Sequence, residues 1–509
     1  VSGRVKIGFL SGIAMAGLAL GVANASAQQA RGTGLRTGTP VYVAQQPPGG
    51  SAGAARASSP DGVPDPAVLI QNQNSVISRR APPRASRPVQ ASGLRGVTQR
   101  QFRPPQPSLT GLPPLPEPPP PLRRRAVLVE DPYAPLGLRL GNVMLRPAIT
   151  NSVGYDTNPQ RIAGPDRKGS GFSRHEGDVE VQSDWNVHEL RGKLRGGYVE
   201  YFRDKEASRP DAEGNLDLRL DAARDTRILL ESRFRLDTQR PGSPDFNFPV
   251  TGRPPVYQYG GSAGVTHDFN RLQLTLRGSV DRSDYADATL TNGAILSQKD
   301  RNQTQYGLRL RAAYEVTPGF KPFVQGEVDT RDFDQKIDSN GFQRSSNGVA
   351  GRVGSTFEIS SQLTGEVSVG YQDRNYDDDR LRNLRGLIGD AAILWTPTPL
   401  TTVTLRGSSE LGDTTIPGSS GTMSQRATLE IAHALRRNLV VTGFANASRT
   451  EYDGQGLRED WSSIGARLDY KLTRTFSIRT SFTHERLDST AQGSDYTANV
   501  AQVGLRVQF

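Results

Sequence analysis

The chain contains no cysteine, which excludes a disulfide framework and thiolate metal sites. It is also poor in hydrophobic residues, which make up 35% of its 509 positions, and its mean hydropathy is -0.53. That supply is thin for one large water-excluding core. Beyond the first thirty residues no apolar run reaches the roughly 18–20 residues that a spanning helix requires, so a helical membrane bundle is excluded. Catalytic signals are missing as well. The histidines His175, His188, His267, His433 and His484 lack metal-ligand spacing, and no Gly-x-Ser-x-Gly elbow accompanies them. The sequence therefore predicts neither an enzyme nor a cofactor.

What is present begins with an export signal. Arg4 and Lys6 form a basic start, Ile7 to Ala23 is apolar, and Ala25-Ser26-Ala27 offers small residues for cleavage. Residues 1–27 are read as a signal peptide. Residues 28–126 hold 19 of the 35 prolines, among Gly, Ser, Gln and Arg, a composition that cannot bury enough apolar surface to offset its ordering entropy. They are read as a disordered periplasmic linker, with PPLPEPPPP from Pro113 in polyproline II.

The net charge of +10 belongs to this part of the chain. Residues 1–126 carry 15 basic and 3 acidic groups, and the remainder carries 47 and 49. For an exported segment, the candidate polyanion is peptidoglycan and not nucleic acid, and a solubilising spacer with no partner is an equal alternative.

After an entry segment at 127–144, residues 145–509 repeat one unit of alternating stretch, tight turn, alternating stretch and longer polar loop. The turns lie near Asn186, Arg224, Asn270, Pro318, Ser361, Thr398, Arg437 and Thr473. Eight hairpins with a lone strand at each end give about eighteen strands. In Leu272, Leu274, Leu276, Gly278 and Val280 one parity is apolar, while Gln273, Thr275, Arg277, Ser279 and Asp281 are polar. Such alternation also suits a soluble sandwich; the export signal and the polar loops favour an all-β, antiparallel up-and-down barrel across the outer membrane.

The polar parity then faces the lumen. It supplies the pore-lining candidates Arg233, Arg235, Arg277, Arg309, Arg311, Arg374, Arg406 and Arg479, with Glu327, Asp329, Glu366 and Glu410. Tyr198, Tyr257, Tyr314, Trp395, Trp461, Tyr470 and Phe509 are expected in interfacial girdles against outer-membrane lipid. Asp377, Asp378 and Asp379 form an acidic run in an external loop, read as a solvated loop, with divalent bridging to lipopolysaccharide phosphates the lesser alternative. Loops at Gln239 to Pro255 and Asp287 to Arg301 are long enough to fold inward and constrict or close a pore.

Two segments are motif-like. Leu145-Arg146-Pro147 and Gly154-Tyr155-Asp156-Thr157-Asn158-Pro159 resemble the entry segment of the putative β-barrel porin 2 family of alphaproteobacterial outer-membrane proteins. Gly504, Val507 and Phe509 resemble the terminal signal read by the barrel-assembly machinery. The resemblance implies a porin-like channel for passive diffusion of small hydrophilic solutes. Export of an acidic exopolysaccharide and a structural or adhesive surface barrel remain open alternatives, as does a homo-oligomer.

Overall fold

The computed structural model describes residues 132–509 apart from Pro165, Asp166 and Asn247. The expected signal peptide, its cleavage site and the linker lie outside the described residues. The alternating stretches form long antiparallel strands. The first are β2 (Val143–Asp156), β3 (Ser170–Ser183), β4 (Glu189–Tyr201), β5 (Arg209–Asp221), β6 (Thr226–Thr238), β7 (Pro255–Phe269) and β8 (Leu272–Tyr285). They continue with β11 (Gln303–Tyr314), β12 (Phe320–Phe333), β13 (Ser346–Ser360), β14 (Leu363–Tyr376), β15 (Leu384–Thr398) and β16 (Thr401–Gly412). β17 (Thr422–Arg436), β18 (Leu439–Tyr452), β19 (Arg458–Lys471), β20 (Phe476–Ser489) and β21 (Tyr496–Gln508) complete the set. A short β1 (Leu138–Leu140) folds back on the start of β2, and β9 (Ala288–Thr289) pairs with β10 (Ile295–Leu296) in a loop.

Each long strand pairs with its sequence neighbours, and β21 pairs with β2 from Ala148↔Gln508 to Asp156↔Val500. The result is a closed antiparallel barrel of eighteen strands, so none of its long strands is left with a free edge. Gly504 lies opposite Ser152 at this seam, where an added Cβ would overlap the serine hydroxyl.

The tight turns fall where the sequence places them. Asn270 takes a left-handed φ of 56° in the two-residue turn between β7 and β8, a conformation asparagine tolerates better than most residues. All eight short turns lie at one end, and the longer loops lie at the other. With 12 to 15 residues each, the strands run about 40–50 Å, well beyond a roughly 25 Å apolar band.

One parity carries the exposed apolar side chains, among them Val265, Leu276, Leu310, Val324, Val353, Val369, Leu405, Ile464 and Val503. This is the lipid-facing surface of a transmembrane barrel. Tyr314, Trp395, Tyr470 and Phe509 are exposed near the short-turn end, and Tyr198 and Tyr257 are exposed nearer the loops. Trp461 departs from the girdle expectation. It is 7% exposed and packs inside the barrel with Leu487 and Tyr496. It shares its parity with Glu459 and Ser463, so the pleat turns it inward whatever its interfacial propensity.

Candidate functional site

The inward parity is lined with arginine and carboxylate side chains, and several of the pairs reach across an intervening strand. Arg233 on β6 reaches Asp281 on β8, Nε to Oδ1 at 2.8 Å, while Arg277 on β8 returns to Glu231 on β6 at 2.8 Å. Arg311 on β11 grips both oxygens of Glu366 on β14 at 2.8 Å each. Arg374 on β14 meets Asp329 on β12, and Arg467 on β19 meets Glu430 on β17 at 2.7 Å. Arg309–Glu327 and Arg479–Asp469 join adjacent strands at 2.9 and 2.7 Å.

A guanidinium crosses an intervening strand most directly where that strand offers no side chain. Two pairs meet this condition on a single rung. Arg233, Gly260 and Asp281 are successive cross-strand partners on β6, β7 and β8. Asp329, Gly348 and Arg374 are the equivalent partners on β12, β13 and β14. A Cβ added at Gly348 would overlap Asp329 Oδ1 and lie 2.7 Å from Arg374 Nη2; one at Gly260 would overlap Asp281 Oδ1.

Gly348→Ala is therefore expected to lose about 1–3 kcal/mol through overpacking against this pair. Gly326→Ala on β12, where nothing lies within 4 Å of the added carbon, is the matched control. The check is the temperature at which each barrel loses its heat-modifiable mobility. Equal temperatures for the two variants would contradict the rung geometry.

At the long-loop end, residues 239–254 between β6 and β7 turn inward across the mouth. Gln239, Arg240, Ser243 and Phe246 are at most 1% exposed. Arg240 donates to the Ser494 carbonyl at 3.1 Å and pairs with Glu459 on β19 at 3.3 Å. Ser494 Oγ donates in return to the Gly242 carbonyl at 2.8 Å. Asp245 accepts from Thr414 Oγ1 at 2.5 Å, Thr415 N at 3.2 Å and Tyr452 OH at 3.3 Å. These partners stand on or beside β16 to β21, on the far side of an eighteen-membered ring from β6 and β7, so the loop spans the opening.

A second loop, between β2 and β3, also packs inward. Its Arg161 is 1% exposed, has a φ of 59° and pairs with Asp156 and Glu485 at 2.9 Å each.

A family model described as putative beta-barrel porin 2 matches residues 131–509. The chain belongs to that family. It is a porin-type β-barrel of the outer membrane, in agreement with the resemblance seen in its entry segment. Among solved structures it is similar to OccAB4 of Acinetobacter baumannii, at 9% identity over 72% of this chain and 98% of that one, with a TM-score of 0.36. It is similar also to OccK2 (OpdF) of Pseudomonas aeruginosa, at 9% identity over 73% and 98%, with a TM-score of 0.38. No curated protein matches it.

In this porin-family barrel all twelve candidate lumen residues lie on the parity opposite the exposed apolar row. Arg406 is buried at 2%. Arg235 pairs with Asp237 at 3.3 Å, and Glu410 accepts from Arg426 at 2.8 Å. What the sequence does not reveal is which carboxylate each arginine meets, since a partner two or three strands away has no fixed spacing along the chain. A glycine at a lumen-parity position was the available signal.

The acidic run is not gathered into a cation site. Arg380 donates to both oxygens of Asp378, at 2.9 and 2.7 Å, and holds that carboxyl below the usual range. Among the described residues no group of three or more His, Cys, Asp or Glu side chains is arranged to hold a metal.

Proposed function

We propose that the barrel is a narrow diffusion channel for small hydrophilic solutes, with its bore set by the 239–254 loop. The observation that carries this reading is the loop itself, tied across the mouth to the opposite wall by Arg240 and Asp245. An inward loop narrows a lumen that eighteen strands would otherwise leave wide. The polar wall below it supports the same reading, because a hydrated path needs donors and acceptors along its length.

The pairing of wall arginines with carboxylates speaks against an arginine track for an acidic polymer. Paired charges present alternating fields at short range and little net potential at a distance. Pro132 lies at the short-turn rim, where Arg474 donates to its carbonyl at 2.8 Å; this rim is taken as the periplasmic one, as short turns are in outer-membrane barrels.

The purified barrel is expected to give discrete, stable conductance steps in a planar bilayer. Current no greater than background, from protein shown to be folded by heat modifiability, would remove the channel reading and favour a structural barrel.

A further inference from the structure

Arg253 stands apart from the other arginines of the mouth. It closes the inward loop, two residues before β7 begins, and its Nη2 donates to the carbonyls of Pro159 at 3.0 Å and Gln160 at 2.9 Å. Those carbonyls belong to the loop between β2 and β3. Three strands, β4 to β6, separate that loop from β7 along the wall, so the side chain is directed across the interior. Its fixing partners are neutral. Arg161 is matched by Asp156 and Glu485, and Arg240 by Glu459, whereas among the described residues Arg253 forms no ion pair.

Among the described residues, moreover, no acceptor takes its Nε or Nη1, and the side chain is only half-buried. Burial first, and then the fields of Arg209, Arg161 and Arg240, push the Arg253 guanidinium well below its ordinary value. An anion would relieve both effects. With Nη2 anchored, Nε–H and Nη1–H remain to donate single charge-assisted bonds to an oxygen of a carboxylate or phosphate group.

We propose that Arg253 is a docking residue for small oxyanions at the mouth, so that the solutes this channel favours carry a carboxylate or phosphate. The proposal rests on the channel reading for its role in passage, but the docking itself does not require conductance. Binding at this point is followed by release into a wall of already paired charges, which hold an anion less tightly.

The test uses the full chain, folded in detergent, with radiolabelled inorganic phosphate as the probe at low ionic strength. Arg253→Gln is expected to weaken phosphate binding about tenfold or more, the scale of one charge-assisted contact. Arg253→Lys, which keeps the charge, should retain most of it. Heat modifiability of each variant shows that the barrel has folded, and the lysine variant keeps the comparison informative if the glutamine variant does not fold. In bilayers under a KCl gradient, the reversal potential of Arg253→Gln should shift toward cation preference.

Equal phosphate binding by wild type and Arg253→Gln, or none by wild type, overturns the docking site. Phosphate binding that depends on Arg253 in a barrel without conductance would overturn the channel reading and leave the site standing.

Discussion

Replacing residues 241–251 with a Gly-Ser linker is expected to raise single-channel conductance several-fold. The argument is geometric. The segment leaves one wall between β6 and β7 and is fixed through Asp245 and the Gly242 carbonyl to residues on or beside β16, β18 and β21, so it occupies the mouth instead of standing above it. Within it Phe246 is fully buried, with its ring 5.9 Å from that of Phe248. A segment held this way acts as a fixed obstruction, not as a mobile lid. The replacement retains Arg240 and Arg253, so any change in current reports the bore and not their loss. Conductance equal to that of the intact chain would show that solutes bypass the loop, and the bore would then have to be sought deeper in the wall.

Asp329→Ala should be the most destabilising single change in the wall, at about 3–5 kcal/mol for a buried charge that loses its counter-charge. Both side chains of the Asp329–Arg374 pair are at most 1% exposed. Arg374 retains its bond to Ser346 Oγ at 3.1 Å, but a neutral hydroxyl is a weak substitute for a carboxylate. Replacing the pair together, as Asp329→Leu with Arg374→Met, should recover most of the loss, since two apolar side chains leave no charge to solvate. Denaturant unfolding of the refolded barrel measures both. A loss below about 1 kcal/mol for Asp329→Ala would mean that lumen water already solvates Arg374.

Much of this architecture was legible in the sequence because a barrel strand advertises itself by period two. Leu272 to Val280 and their polar neighbours announce both faces of β8, and polar turn residues such as Asn270 locate the hairpins. Trp461 was misplaced because aromatic propensity for the interface was weighed ahead of its parity with Glu459. The long loops were recognisable, but their direction was not. Whether residues 239–254 stand out into solvent or cross the mouth depends on Arg240 finding Glu459, more than two hundred residues later. The lumen arginines were recognised individually, while their pairing required the ring to close.

The two rungs that place a glycine between an arginine and an aspartate have a consequence for how correct strand pairing is enforced. A slip of one residue turns the lipid face inward and is heavily penalised, but a slip of two preserves the apolar and polar faces and passes unnoticed by the hydrophobic pattern. Such a slip at β13 would bring Ala350 or Ser346 under the Asp329–Arg374 crossing and obstruct it; at β7, Ser262 or Gln258 would do the same to Arg233 and Asp281. The glycines thus act as an alignment mark legible only to three neighbouring strands at once. In related chains each trio should change together or not at all.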